Sequence, residues 1–128
     1  MGALTITLDP MNPGSGGDDR RVIGTLTFSS TYVSGTGDSF TPLQLGLAIL
    51  DGMDIELATN TGHTLQLQPM LVVPATGLPS TGTLYVRAYG VEFPAAADLP
   101  GGNETPLVEI STNADLSAFS ARFTAWGS

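Results

Sequence analysis

The sequence predicts an all-β fold: an antiparallel, jelly-roll-like β-sandwich of about seven or eight strands with one short helix. Short segments that alternate between apolar and polar residues support this class, because a strand with one buried face has a period of two. Sixteen Gly and nine Pro, scattered along 128 residues, interrupt the chain too often for long helices. Cysteine is absent, so we expect residues 1–128 to form a single domain held together by packing alone.

The chain begins with two predicted strands separated by a predicted arm. Residues 4–8 alternate strictly between aliphatic residues and threonine, and residues 21–28 repeat the pattern with Val22 and Leu26 facing inward. Residues 9–19 lie between these strands and are rich in Gly, Pro and Asp. This composition is typical of a flexible loop, which we expect to form a surface arm.

The predicted short helix begins at Pro42. Thr41 is a suitable N-cap, and Pro42 occupies the first helical position, where a backbone N–H lacks a partner in any case. Gly46 limits the helix to about one or two turns. Residues 115–117 could begin a second turn of α- or 3₁₀-helix just before the last strand.

The second part of the chain contains five further predicted strands. They cover residues 53–57, 65–68, 83–93, 107–111 and 119–126. In the last of them the expected inward side chains are Phe119, Ala121, Phe123 and Ala125. The spacing of all these strands is typical of a sandwich or a barrel.

The charge balance excludes several classes of partner. Twelve acidic and four basic residues give a formal net charge of −8, and the basic residues are Arg20, Arg21, Arg87 and Arg122. Nucleic acids and anionic membranes attract clustered cations, so we expect neither as a partner. The N-terminal residues resemble neither a signal peptide nor a transmembrane helix, so we expect synthesis and folding in a cytoplasm.

Two groups of side chains are candidate interface residues. Tyr85, Arg87 and Tyr89 share one face of a predicted strand, and Tyr and Arg are enriched at interface hot spots. The alternative is that this face belongs to the core, with Arg87 stacked on a ring at its edge. Arg122 and Trp126 share the predicted outer face of the last strand, where the same argument applies.

Catalytic and metal-binding chemistry has few candidates. His63 is the single histidine, and no nucleophile motif accompanies it. Asp54 and Glu56 share one strand face and could act as paired carboxylates, or approach a cation together as Asp18 and Asp19 could. Solvated surface acids are the alternative that the usual exposure of Asp and Glu favours. We therefore expect no enzymatic activity, no cofactor and no metal.

Several segments of the chain resemble one group of proteins. Residues 21–32, Gly35, residues 41–47 and residues 114–123 together resemble small structural proteins encoded among the head genes of tailed bacteriophages. They cover about a quarter of the chain. The resemblance implies a capsid decoration, or cement, protein on the virion surface. Its implied partner is the major capsid protein, and its implied assembly is a homotrimer.

Two alternatives belong to other functional classes. A carbohydrate-binding or tail-fibre module would use exposed aromatic side chains such as Tyr89 and Trp126 to stack on sugars. A hydrolase would use Glu56 together with Asp54. Glycan binding that is lost in Tyr89→Ala or Trp126→Ala would favour the carbohydrate-binding module, and turnover that is lost in Glu56→Gln would favour the hydrolase.

Overall fold

Nine β-strands and one 3₁₀ helix form the regular structure of a computed structural model that describes residues 2–10, 20–60, 66–90, 108–110 and 112–128. The strands are β1 (Thr5–Leu8), β2 (Arg20–Thr27), β3 (Asp38–Phe40), β4 (Leu50–Ile55), β5 (Ala58–Asn60), β6 (Gln66–Val72), β7 (Leu84–Gly90), β8 (Val108–Glu109) and β9 (Phe119–Gly127). The 3₁₀ helix Pro42–Leu45 follows β3.

All of these described strands belong to one sheet, and every strand pairing is antiparallel. The order is β1-β2-β9-β5-β6-β7-β3, while β4 also pairs with β9 and β8 with β7. The sheet curls until its two ends meet. The Leu4 N–H donates to the Ser39 carbonyl at 2.8 Å, and the Ser39 N–H donates to the Gly2 carbonyl at 3.1 Å.

Strand β9 occupies the centre of the sheet. One edge pairs with β2 over eight residues, and the other edge pairs first with β5 and then with β4. Its side chains alternate as the sequence predicts, with Phe119, Ala121, Phe123 and Ala125 buried. The C-terminal strand therefore joins segments from the start and the middle of the chain.

The inner surface of the curled sheet contains the hydrophobic core. Its fully buried large side chains are Leu26, Phe28, Tyr32, Phe40, Leu45, Leu47, Leu50, Leu84, Val86 and Phe123. Burial of a large apolar side chain stabilises a fold by roughly 1.5–3 kcal/mol relative to exposure. Phe28 and Tyr32 meet edge to face, with ring centroids 6.3 Å apart.

Asp38 is the buried charged side chain among the described residues. Its carboxylate accepts the Ser29 backbone N–H at 2.6 Å and the Ser29 hydroxyl at 2.9 Å. These hydrogen bonds offset the cost of removing the carboxylate from water. Gly2 packs against the same group, because a Cβ there would lie 2.4 Å from the Asp38 carboxylate. Asp38 thus helps to fix the place where the sheet ends meet.

The 3₁₀ helix has the termini that the sequence predicts. Pro42 is its first residue, and the Gln44 side-chain oxygen accepts the Thr41 backbone N–H at 2.9 Å. Gly46 ends the helix with φ of 74°, a left-handed conformation that glycine adopts without steric cost. The helical turn that residues 115–117 could begin is a single turn, in which the Phe119 N–H donates to the Leu116 carbonyl at 2.9 Å. Asp115 accepts the Ser117 N–H in a side-chain turn at 3.0 Å, outside any described helix.

The predicted all-β, antiparallel class is confirmed. The jelly-roll-like sandwich stays a prediction, because the described strands join one curled sheet instead of two separate sheets. The predicted strand at 53–57 begins earlier, at Leu50, and ends at Ile55, which leaves Leu57 exposed. Predicted strand positions 65, 91–93, 107 and 111 and arm positions 11–19 lie outside the described residues.

Two short strands, β3 and β5, were not predicted by the alternation of the sequence. Each has three residues, which is too few to show a period of two. Their pairing depends on β7 and β9, which are distant in the chain. Tertiary contacts therefore define these two elements.

Candidate functional site

The outer surface of β6 and β7 carries the first predicted interface. In the register of these strands, residues of β7 lie opposite residues of β6 in three outward-facing pairs. We call this set the β6–β7 face: Gln68, Met70, Val72, Tyr85, Arg87 and Tyr89. Met70 is 50% exposed, and the other five side chains are half-buried. The inward residues of β7 are Leu84, Val86 and Ala88, so the alternative that Tyr85, Arg87 and Tyr89 form a core face is wrong.

Pro69 explains why part of the β6–β7 face escapes sequence reasoning. A proline normally argues against a paired strand, so the predicted strand stops at Gln68. In the structure Pro69 lies opposite Ala88, whose N–H and carbonyl bond to Tyr32 and Ile110 instead. The missing N–H of Pro69 therefore removes no hydrogen bond between β6 and β7. The apolar residues 70–73 after Pro69 are the signal in the sequence that could have indicated that the strand continues through Met70.

Arg87 makes a contact within the chain at the edge of the β6–β7 face. Its Nη2 donates to the Gly35 carbonyl at 2.6 Å. Glu109 on β8 accepts the Gly35 N–H at 2.7 Å through Oε1. Arg87 thus binds the carbonyl of Gly35 and Glu109 binds its N–H, and both contacts fix the loop before β3. Arg87 therefore also has a structural role that the sequence did not indicate.

Tyr32 fills the space beneath this loop. Its hydroxyl accepts the Ala88 backbone N–H at 2.9 Å and donates to Glu109 Oε1 at 2.8 Å. Burial raises the pKa of Tyr32 above its usual value, and the hydrogen bond to Glu109 acts in the same direction. The phenol is therefore neutral, and its two hydrogen bonds connect β7 to β8.

The outer surface of β2, β9 and β4 carries the second predicted interface. Arg122, Thr124 and Trp126 alternate outward along β9, as the sequence predicts. Trp126 lies between Arg21 on β2 and Gly52 on β4, and Thr124 lies between Ile23 and Asp54. We call this set the β2–β9–β4 face: Arg21, Ile23, Thr25, Gly52, Asp54, Arg122, Thr124 and Trp126.

Gly52 provides the surface on which Trp126 rests. A Cβ at Gly52 would lie 2.4 to 2.9 Å from three atoms of the indole, so the ring lies across the glycine backbone. The indole remains 37% exposed. This contact requires glycine at position 52 and leaves part of an aromatic ring available on the outer surface.

A groove of about 330 Å³ lies on the same face, and Thr124, two residues before Trp126, is part of its lining. It is lined by Ile23, Asp54, Glu56, Arg122, Phe123 and Thr124. The Glu56 N–H donates to the Arg122 carbonyl at 2.9 Å, which brings this residue next to β9 although β4 ends before it. Asp54 and Glu56, considered in the sequence as paired carboxylates, and Arg122, the predicted interface arginine, thus line a single groove. The register of β4 on β9 brings them together.

Arg122 is held in the groove by Asp9. Nη1 and Nη2 donate to the two carboxylate oxygens at 2.8 and 2.6 Å, and Nη1 also donates to the Thr25 hydroxyl at 3.2 Å. The hydrogen bonds from Arg122 lower the pKa of Asp9. The same contact raises the pKa of Arg122, and the nearby charge of Glu56 adds to this effect. The guanidinium is therefore a fixed cation.

The remaining candidate residues for catalysis or metal binding are a histidine and two aspartates. His63, Asp18 and Asp19 lie outside the described residues. Within the ranges that the structure describes, no cluster of three or more His, Cys, Asp or Glu side chains could hold a metal ion. The absence of an enzymatic activity and of a cofactor stays a prediction.

Comparison with known proteins identifies no relative of this chain. No protein-family model matches it, and no match is found among curated proteins or solved structures. No helix among the described residues is long and apolar enough to cross a membrane. The two outer faces and the groove are therefore the features of the structure that indicate a function.

Proposed function

We propose that this protein is a capsid decoration protein that binds and stabilises the major capsid lattice of a tailed bacteriophage. The resemblance of residues 21–32 and 114–123 to small head proteins supports this class. The observation that carries the proposal is the composition of the β6–β7 face. Its six residues include no acid, although the chain has twelve acidic residues and a net charge of −8.

The β6–β7 face has the chemistry of a protein interface. Tyr, Met and Arg are enriched in interface cores, whereas Asp, Glu and Lys are depleted there. Met70 lies between Tyr85 and Tyr89 in the cross-strand register, and its half-exposed side chain can adapt to a partner surface. The single charge of the face, on Arg87, already has a partner in the Gly35 carbonyl. Burial of this face would desolvate one charge, the Arg87 guanidinium, whose Nη2 donates to a carbonyl and whose Nε is buried without a hydrogen-bond partner among the described residues.

Hydrogen bonds hold the loop at one edge of the same face, which favours tight binding. Tyr32, Glu109 and Arg87 link the loop at Gly35 to β7 and β8 through hydrogen bonds of 2.6 to 2.9 Å. A preorganised surface loses less conformational entropy on association than a mobile one. Such a surface suits a protein that must stay attached to a capsid lattice.

Binding to undecorated, expanded capsids of the parent phage tests the proposal. Met70→Glu places a charge at the centre of the β6–β7 face, and we expect it to weaken capsid binding by about tenfold or more. Leu43→Glu is the matched control, because Leu43 is 79% exposed on the 3₁₀ helix and lies outside this face. Co-sedimentation with capsids measures both variants. Failure of the wild-type protein to bind at any salt concentration would refute the proposal.

The number of copies in purified virions provides an independent test. We expect quantitative mass spectrometry to find this protein at a ratio near that of the capsid lattice. A handful of copies would place it in the tail or the portal. Absence from the virion would reopen the interpretations as an enzyme or as a factor that acts in the host.

A homotrimer is the assembly that we propose on the capsid. A trimer at a threefold axis engages three lattice sites at once, which raises the effective concentration without new contacts. Native mass spectrometry of the free protein, and then of the capsid-bound protein after crosslinking, measures this directly. A protein that is monomeric in both states would contradict the trimer.

A further inference from the structure

The groove on the β2–β9–β4 face has a composition that differs from the proposed capsid interface. The β6–β7 face lacks acids, whereas the groove contains the carboxylates of Asp54 and Glu56 and the guanidinium of Arg122. Ile23 adds an apolar wall, and Thr124 adds a hydroxyl. Several hydrogen-bonding groups of both kinds thus converge on one concave surface, which is what recognition of a small polar ligand requires.

We propose that this groove, together with Trp126, is a binding site for a neutral glycan. The groove volume of about 330 Å³ lies near the lower end of the roughly 300–1,000 Å³ that is usual for small-molecule sites. Sugar hydroxyls donate to carboxylates and accept from a guanidinium, so both kinds of group in the groove find partners. The site does not depend on the capsid role, since it lies on a different face.

Trp126 supplies the apolar surface that a sugar ring needs. It is the next outward residue after Thr124 on β9, about 7 Å away along the strand. Its indole rests on Gly52 and remains partly exposed. The C–H groups of a pyranose carry partial positive charge and pack on the electron-rich face of an aromatic ring. A glycan of two or more units can therefore occupy the groove and Trp126 together.

Arg122 is prepared to donate to a ligand. A guanidinium has five N–H donors. Two of them bond to Asp9 and one to Thr25, which leaves Nε–H and one Nη2–H unassigned among the hydrogen bonds of the described residues. Asp9 holds the guanidinium in place before a ligand arrives, so binding need not order a long side chain.

The charges in the groove select the class of glycan. The positive charge of Arg122 is balanced by Asp9, while Asp54 and Glu56 add two negative charges to the site. A sialic acid, uronic acid or sulfated sugar would approach these carboxylates with a like charge, which disfavours binding. A neutral oligosaccharide meets no such repulsion. The geometry therefore predicts selectivity for neutral over acidic glycans.

The experiment begins with the wild-type protein on an array of neutral, sialylated and sulfated oligosaccharides. Cellohexaose, maltohexaose and N-acetylchitohexaose are then titrated in solution. Trp126 is the only tryptophan in the chain, so its intrinsic fluorescence reports directly on occupancy of the site. We expect neutral oligosaccharides to bind and to shift this fluorescence, and acidic ones to bind more weakly.

Paired variants locate the site. We expect the double variant Asp54→Asn/Glu56→Gln to weaken binding by about tenfold, which corresponds to ~1.4 kcal/mol. Asp51→Asn is the matched control: it removes one exposed carboxylate from the same strand but does not line the groove, so affinity should stay within about twofold. Calorimetry measures these variants and Trp126→Ala, which we expect to lose about tenfold as well. Circular dichroism verifies that each variant is folded.

Three outcomes would overturn the proposal. The first is that the wild-type protein binds no neutral glycan on the array more strongly than the double variant does. The second is a preference for sialylated or sulfated glycans. The third is binding that survives in the double variant and in Trp126→Ala, because the ligand would then occupy another surface. Capsid binding by the same proteins is measured separately, so failure of the glycan site is distinguishable from failure of the decoration role.

Discussion

At the scale of single residues, the Tyr32 hydroxyl links a core side chain to two strand edges. It satisfies the Ala88 N–H of β7 and contacts Glu109 of β8, while the ring packs against Phe28. Alternation of the sequence does not reveal this role, because Tyr32 lies in a loop between β2 and β3. The residue shows how one polar atom in a core determines where a neighbouring loop lies.

Tyr32→Phe should destabilise the fold at neutral pH. The substitution keeps the ring but leaves the Ala88 N–H buried without its acceptor, which costs about 1–3 kcal/mol. Urea unfolding followed by circular dichroism measures the change in the free energy of unfolding. A difference below about 0.5 kcal/mol would show that another acceptor replaces the hydroxyl.

The same variant should change the response to alkaline pH. Because burial raises the pKa of Tyr32, the unfolded chain loses this proton above about pH 10 while the native chain keeps it. The contribution of Tyr32 to stability is therefore present below that pH and is lost as the pH rises. The chain has no lysine, so few other side chains titrate in this range. We expect the wild type to lose more stability than Tyr32→Phe between pH 8 and about pH 11.

At the scale of elements, the long strands follow from the sequence and the short ones do not. The alternation of residues 21–28 and 119–126 predicts β2 and β9 together with their inward faces. In β4, by contrast, the register shifts between Leu50 and Gly52, and this irregularity hides the beginning of the strand. A local pattern cannot indicate a strand whose pairing is irregular.

The candidate groove is predictable from the sequence only in part. The sequence indicates that Asp54 and Glu56 share a face and that Arg122 and Trp126 share another. It cannot indicate that the two faces are neighbours, because this depends on the pairing of β4 with β9. Nor can it reveal that Asp9 holds Arg122, since these residues are 113 positions apart.

The pairing of β3 with β7 depends on glycine at position 37. This residue has φ of +91°, and a Cβ there would lie 2.4 Å from the Val86 carbonyl oxygen. Gly77 has a similar φ of +80° but open space around it, so it is a matched control. We expect Gly77→Ala to cost about 1–2 kcal/mol from backbone strain and Gly37→Ala to cost about 1–3 kcal/mol more.

Thermal and urea unfolding of the two glycine variants measure this difference. Equal destabilisation would mean that β3 can move away from β7 without lowering the free energy of unfolding. The short strand would then contribute little to the stability of the fold. A larger effect of Gly37→Ala would show that close approach of the loop to β7 is required.

At the scale of the whole molecule, β9 connects the strands of the two parts of the sheet. It pairs with β2, β4 and β5, whereas β1 pairs with β2 and meets β3 only through the contacts of residues 2–4. Removal of β9 takes away the strand with which β2, β4 and β5 pair, so that β1 and β2 would stay linked to the other strands through the contacts of residues 2–4 with Ser39. Removal of β1 shortens one end of the sheet.

Two truncations test this difference. We expect a variant that ends at Ala118 to lack cooperative unfolding and the dispersed amide resonances of a folded protein. A variant without residues 2–8 should remain cooperative but unfold at lower urea, because it loses the buried Leu4 and the contact between the sheet ends. A folded variant without β9 would contradict the central position of this strand.

The position of β9 in the chain also has a consequence during synthesis. Strand β2 leaves the ribosome about 90 residues before its partner β9, a delay of roughly 5–18 seconds at ~5–20 residues per second. During this time one edge of β2, with Val22 and Leu26 beside it, has no native partner and can pair with other nascent chains. When many copies are made at once, the yield of folded protein should therefore depend on chaperones that shield the nascent chain until residues 119–127 emerge.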